Sequence, residues 1–437
     1  MNEVERGLFS LVMGYRIREL RKKQNMSQST LAEGIGSQSM ISLLESGRQF
    51  PMPDVLTLIA QRLDDETLLH YAKLVSSGEV SWTDFVCSNR ELVIEILASQ
   101  RGRWHDTQLR ISLQLCENCY DNKLFRIVRE ICLLILEHST SEQGHAQAYF
   151  YYGSSYLFTH EYEDAEHWLL KAEQEKNMLD ESMRGRLYYN LGYAYSEQDV
   201  YGTALWYAKM ASDNFRRLND YLRHAKSQGL LGVVQARMGR LEDASQTLEL
   251  AYNIMDKWGM SGSDRARVAV SLADVNESLG NLHSAEQWCR RAIELNVDSL
   301  DPDSLCAVYQ ILSLVYLARE EMSKATSAVR RAMDIAKDTS NPRSVSHVYL
   351  LAAGILPVRR ERIEAASCAY ETARESKHLI EQALAADCLA ALYSRERPST
   401  AQEYQRIAVK SYREHLAQNT MFRSAFRYLP IHQFHES

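Results

Sequence analysis

Apolar residues recur along this chain every third or fourth position, which predicts helices almost throughout. Residues 14–63 read as four or five short helices. In GYRIRELRKKQ, Ile17 and Leu20 point inward, while Arg16, Arg18, Arg21, Lys22 and Lys23 point outward. Asn25 and Ser27 are start signals for the next helix, QSTLAEGI. There Leu31 and Ile35 share a face, and Ala32 is small enough for a close helix crossing. Gly36 is expected in a tight turn with positive φ, and Ser37 is expected to cap QSMISLLES. Ile41 and Leu44 of that helix face inward, and Gly47 ends it. Pro51 and Pro53 force an extended link; Asp54 is expected to cap a helix lined by Leu56, Ile59 and Leu63.

Residues 65–105 keep a helical pattern but carry breakers at Ser76-Ser77-Gly78 and Gly102, as a connector would. From about 106 the chain repeats itself. A small residue is followed twelve positions later by Ala, and seven later by Ala again. The sets are Gly153/Ala165/Ala172, Gly192/Ala204/Ala211, Gly232/Ala244/Ala251, Ala273/Ala285/Ala292, Ser313/Ala325/Ala332 and Gly354/Ala366/Ala373, with a weaker Leu389/Ala401/Ala408. Their first members lie 39, 40, 41, 40, 41 and 35 residues apart. Each unit is expected to be two antiparallel helices, with the small residues where they cross. Residues 109–138 read as a degenerate pair that caps the array. The division is therefore a head (1–64), a helical linker (65–105) and a repeat body (106–437), in an all-α chain.

Charge sharpens this picture. The chain carries −7 overall, yet residues 1–63 hold eight Lys/Arg against six Asp/Glu. A basic head on an acidic body suits a head that approaches phosphate and a body that discourages non-specific binding. No apolar run reaches the roughly 18–20 residues of a membrane helix, and the first twenty residues do not read as a signal peptide; a cytoplasmic location is expected. Cys116 and Cys119 form one C-x-x-C with no second pair, and read as helix residues rather than a metal or redox site. No nucleotide loop, nucleophile elbow or paired metal motif is present, and His105, His138 and His167 are scattered. Neither an enzyme nor a cofactor is expected.

The head resembles the phage-repressor helix-turn-helix at Gln28, Leu31-Ala32-Glu33, Gly36, Ile41-Ser42, Glu45, Gly47 and Pro53. The resemblance implies that the third helix enters the major groove of a double-stranded DNA operator. Its outward Gln38, Ser39, Ser42 and Leu43 would then meet base edges, alongside Ser37. Gln28, Arg16, Arg18, Lys22 and Arg48 would meet phosphates. The body resembles the tetratricopeptide repeat, a right-handed solenoid whose first helices line a groove.

A repressor-type head on such an array resembles the RRNPP family of peptide-sensing regulators, nearest its PlcR and NprR branch. That resemblance implies a homodimer, a short signalling peptide in the groove, and a dimer rearrangement that changes DNA affinity. In the family, Asn residues on inner helices hold the peptide backbone; Asn190, two positions before Gly192, fits that role, with Arg186, Tyr193, Lys226, Arg267, Asp274 and Gln310 as further inner-face candidates. Two other readings stand beside it: a body that binds a signalling protein such as a response regulator, and an adaptor without a small ligand. A phosphatase role would call on Gln108 or Gln114 near the linker, and nothing marks either out.

Overall fold

The computed structural model describes residues 3–98, 106–295, 302–339 and 341–418; His105 and Gly102 lie outside them. The described residues are helical, with no strand among them. They form two compact units, 1–183 and 184–437, rather than breaking at 64 and 105.

The first unit begins with a helix longer than expected. Helix α1 runs Glu3–Lys23. Leu8, Phe9, Val12, Met13 and Ile17 continue one apolar stripe and are fully buried. Helices α2 (Gln28–Ala32), α3 (Gln38–Glu45) and α4 (Pro53–Leu63) complete the head. Then follow α5 (Glu66–Ser77), α6 (Trp82–Ser88) and α7 (Arg90–Ala98). Phe9 explains why the head and the expected linker are one body. Its ring lies 5.6 Å from Phe50 of the head, 6.1 Å from Tyr71 on α5 and 5.1 Å from Phe85 on α6. Arg16 and Tyr15 add polar ties: Arg16 grips Asp65 at 2.8 Å and 3.1 Å, and Tyr15 donates to Glu95 on α7 at 2.9 Å. Helices α8 (Asp106–Asp121) and α9 (Phe125–His138) form the expected capping pair, and α10 (Glu142–Leu157) with α11 (Tyr162–Gln174) the first repeat. Phe150, Tyr151 and Tyr152 of its aromatic run are buried core residues.

The second unit stacks helix pairs: α12 (Glu181–Glu197) with α13 (Tyr201–Arg217), α14 (Tyr221–Arg237) with α15 (Leu241–Lys257), α16 (Gly262–Ser278) with α17 (Leu282–Glu294). It continues through α18 (Pro302–Ala318) with α19 (Met322–Ile335), α20 (Pro342–Ile355) with α21 (Arg359–Glu375), and α22 (Leu379–Tyr393) with α23 (Pro398–Gln418). The small residues sit where predicted. A Cβ on Gly153 would lie 2.9 Å from the Leu169 backbone nitrogen, and one on Gly232 2.6 Å from Leu248 Cγ. Ala204, Ala244, Ala285, Ala325 and Ala366 have no exposed surface. One anchor is corrected. Gly354 has nothing within 4 Å of a would-be Cβ, whereas Ala353 is fully buried and its carbonyl accepts from Arg362. Helix α20 stops at Ile355 and turns through Leu356, which displaces the crossing by one residue.

Consecutive first helices pack on one another: α14 on α16, α16 on α18, α18 on α20, α20 on α22. Side-by-side contact along that edge makes it the inner, more tightly curved face of the stack.

Candidate DNA-reading helix and inner-face cluster

In the head, Ser27 and Ser37 cap α2 and α3, their hydroxyls accepting from the Thr30 and Met40 amides. Three expected local features differ. Asn25 closes α1 in the left-handed region (φ 53) instead of opening α2. Positive φ falls on Gly34 (φ 71) rather than Gly36, because the chain turns directly after the five-residue α2. Met52, not Asp54, is the residue before α4, with Pro53 in its first position.

Helix α3 is fixed from below by Ile41 and Leu44, both buried, and by Glu45. Glu45 is a buried carboxylate that takes Arg21 at 2.5 Å and 3.0 Å, plus the Gln28 amide at 2.9 Å. Removing one member of such a pair strands a buried charge, at a cost of roughly 3–5 kcal/mol. Sequence reasoning missed this network. Its signal was an acid four positions after Ile41, on the apolar side of α3.

On the opposite side, the cap Ser37 and the α3 residues Gln38, Ser39, Ser42 and Leu43 are exposed. The basic set divides. Arg18, Lys22 and Arg48 are exposed, with only a loose 3.6 Å pairing of Lys22 to Glu19. Arg16 and Gln28 are engaged inside the unit, by Asp65 and Glu45. Burial would raise the Asp65 pKa, but the bond from Arg16 and the amides of α5 outweigh it and hold the carboxyl below its ordinary value.

In the second unit the inner-face candidates fall into groups. Lys226 and Arg267 converge on Asp264, at 3.2 Å and 3.3 Å, joining α14 to α16. Tyr189 of α12 lies within electrostatic range of Arg267 and Asp264, and burial raises its pKa. Asn190 is buried on α12, Arg186 is half-buried, and Tyr193 packs on the Ala204, Ala208 and Leu230 core. Gln310 donates to the Ser344 carbonyl at 3.4 Å. Asp274 sits apart from Lys226 and Arg267. Asp274 is exposed to solvent, yet the protein packed around it raises its pKa by desolvation, opposed by the charges of Arg237 on α14 and His347 on α20.

A second cluster was not foreseen. Arg343 of α20 donates through Nε to Glu381 at 2.7 Å, through Nη2 to Asp199 at 2.7 Å, and through Nη1 to the Glu197 carbonyl at 3.1 Å. Glu381 also meets His347 at 3.0 Å, and Asp199 accepts from Tyr201 at 2.6 Å. Arg237 pairs with Glu197 at 2.9 Å and donates to the Ser196 carbonyl at 2.7 Å. Burial would raise the Glu381 pKa, but the His347 bond and the Arg343 charge hold it well below the carboxylate range. Burial also lowers the pKa of nearby His378. The only hint in the sequence was Glu381 near the start of a mostly apolar helix, LIEQALAADCLAALY.

Cys116 faces Cys132 of α9 at 3.3 Å, rather than Cys119, and burial raises its thiol pKa. No group of His, Cys, Asp or Glu among the described residues could hold a metal, and no described helix is long and apolar enough to cross a membrane.

Residues 17–68 match the helix-turn-helix family model, and residues 264–338 match a tetratricopeptide repeat model. The transcriptional activator NprA of Geobacillus stearothermophilus is 27% identical over 235 residues, covering 51% of this chain and 58% of that relative's length. A Rap protein complexed with competence and sporulation factor superposes with a TM-score of 0.58 at 15% identity, over 80% of this chain and 97% of that one. NprR in complex with its cognate peptide NprX gives 0.56 at 16% identity, over 83% and 97%. Likeness at this identity establishes the helical-repeat fold. With the head and the array both matched, this is a helix-turn-helix protein with a tetratricopeptide body.

Proposed function

We propose that this chain is a DNA-binding transcription regulator, not an enzyme, whose repeat body senses a short signalling peptide. The observation that carries the reading is the capped helix α3, which bears Gln38, Ser39 and Ser42 on its free side. Those side chains suit base edges: Gln38 can pair two ways with adenine, the serines can bond several bases, and Leu43 can touch a thymine methyl. Arg18, Lys22 and Arg48 flank them and suit phosphates. Arg16 and Gln28 act instead by holding α1 to α5 and α2 to α3, so they position the head. A helix-turn-helix reads half-sites in pairs, which favours a homodimer on a two-fold operator, acting in the cytoplasm where the DNA lies.

The peptide is expected along the inner helices of the second unit, where Asn190, Arg186 and Tyr193 of α12 join Lys226, Arg267, Asp274 and Gln310. The complex of the structural relative NprR with its cognate peptide NprX supports a peptide as the ligand class. The test is calorimetry on the purified full chain, with short synthetic peptides from the C-terminus of any small secreted-peptide gene beside the encoding locus. Saturable binding at micromolar concentration or below, with a change in DNA affinity, is the expected result. Inert peptides and capture of a folded response-regulator domain would replace the sensor reading with a protein-docking one.

A further inference from the structure

Stacked helix pairs ordinarily touch only their neighbours. Arg343 breaks that rule. It belongs to α20, yet its guanidinium reaches the end of α12 and the turn before α13, with the pairs α14–α15, α16–α17 and α18–α19 lying between in the chain. The contact is well built. Three donors of one planar fork are used at 2.7–3.1 Å. The side chains are largely withdrawn from water: Arg343 keeps 13% of its exposure, Asp199 16% and Glu381 2%. The receiving turn is braced from the other side by Arg237, through Glu197 and the Ser196 carbonyl. A bridge of this kind ties the first pair of the second unit to its fifth and sixth. The inner faces of α14 and α16, which carry Lys226, Asp264, Arg267 and Asp274, lie on the segment of the stack that it spans.

We propose that the Arg343 cluster is a latch that holds the two ends of this span together at rest, so that the inner face, although open to water at Lys226, Arg267 and Asp274, admits a ligand only when Arg343 lets go of Asp199 and the Glu197 carbonyl. That the ligand is a peptide rests on the preceding reading; the latch itself does not. Arg343 is the moving part, because Glu381 and His347 can keep one side of its fork while the α12–α13 turn departs.

Hydrogen exchange of the full chain tests the latch by reciprocity. Arg343→Met is expected to accelerate exchange of amides 196–201 roughly tenfold or more, as well as those around 343. Asp199→Asn is expected to accelerate amides 343–347 in return; Asn tolerates the positive φ of 62 at this position, so the turn keeps its shape. Acceleration confined to α20–α22 in the first variant, or to the α12–α13 turn in the second, would overturn the proposal. Should Arg343→Met not fold, the Asp199→Asn arm decides alone. Access is read separately, with Asp274→Cys as a reporter and a bulky maleimide as the probe. The modification rate is expected to rise several-fold when Asp199→Asn is added. An unchanged rate would leave a mere structural tie in place of a gate. None of these readouts uses a peptide, so failure of the sensor reading and failure of the latch remain distinct.

Discussion

Gly14 is where α1 and α3 touch. A Cβ added there would lie 2.1 Å from the Leu44 carbonyl oxygen and 3.2 Å from the Gly47 amide nitrogen. Ordinary contact begins near 3.4 Å, so α1 and α3 must separate by about 1.3 Å in Gly14→Ala. Both obstacles are backbone, and no side chain can rotate away. Overpacking of this kind costs roughly 1–3 kcal/mol, against which Ala regains about 0.5–1 kcal/mol of helix preference. The net loss is thus roughly 0.5–2 kcal/mol, or about two- to thirtyfold faster hydrogen exchange of the α3 amides. Gly7, seven residues earlier on the same helix, is the control: nothing lies within 4 Å of its would-be Cβ, so Gly7→Ala is expected to gain the helix preference alone. Equal exchange in the two variants would refute the close crossing of α1 and α3.

Gln38→Ala is expected to relax preference at one base pair by roughly 1–3 kcal/mol in binding-site selection, whereas equal weakening on every sequence would shift the reading register of α3. Asp65→Asn keeps a helix cap but loses the charge that Arg16 holds. Because the folded pKa of Asp65 lies below its unfolded value near 3.9, its contribution is present above that value and is lost as pH falls through the lower, folded pKa. Melting temperatures of wild type and Asp65→Asn should therefore differ at neutral pH and converge on acidification. Gly153→Ala should lower the urea midpoint, since its Cβ would meet the Leu169 backbone at 2.9 Å, while Gly354→Ala should hold or raise the midpoint, in line with about 0.5 kcal/mol of added stability, its surroundings being open.

Most of the architecture was legible because close helix crossings demand small residues at fixed intervals, and seven sets of them stand in the chain. The serine caps of α2 and α3 were legible for a like reason: a free amide row needs an oxygen, and Ser27 and Ser37 stand at the right places. What escaped was non-local. Phe9 has no sequence mark that ties it to Tyr71 and Phe85, so the head was cut from α5–α7 at residue 64. Gly354 fitted the interval and Ala353 did not, but the early stop of α20 shifts the crossing. Arg16 and Lys22 look alike in sequence, since a cationic side chain on an outer face does not announce whether Asp65 waits across the turn. Arg343 was invisible, because its partners lie 144 and 38 residues away.

That bridge also bears on how this body can change over generations. A helical stack built only on neighbour contacts can gain or lose a pair at modest cost, because each junction resembles the next. Here the guanidinium on α20 must meet the turn after α12, and it does so across three intervening pairs. Inserting or deleting a pair in that span would carry the arginine past its partner, so the arm works as a ruler that fixes the number of repeats between its ends.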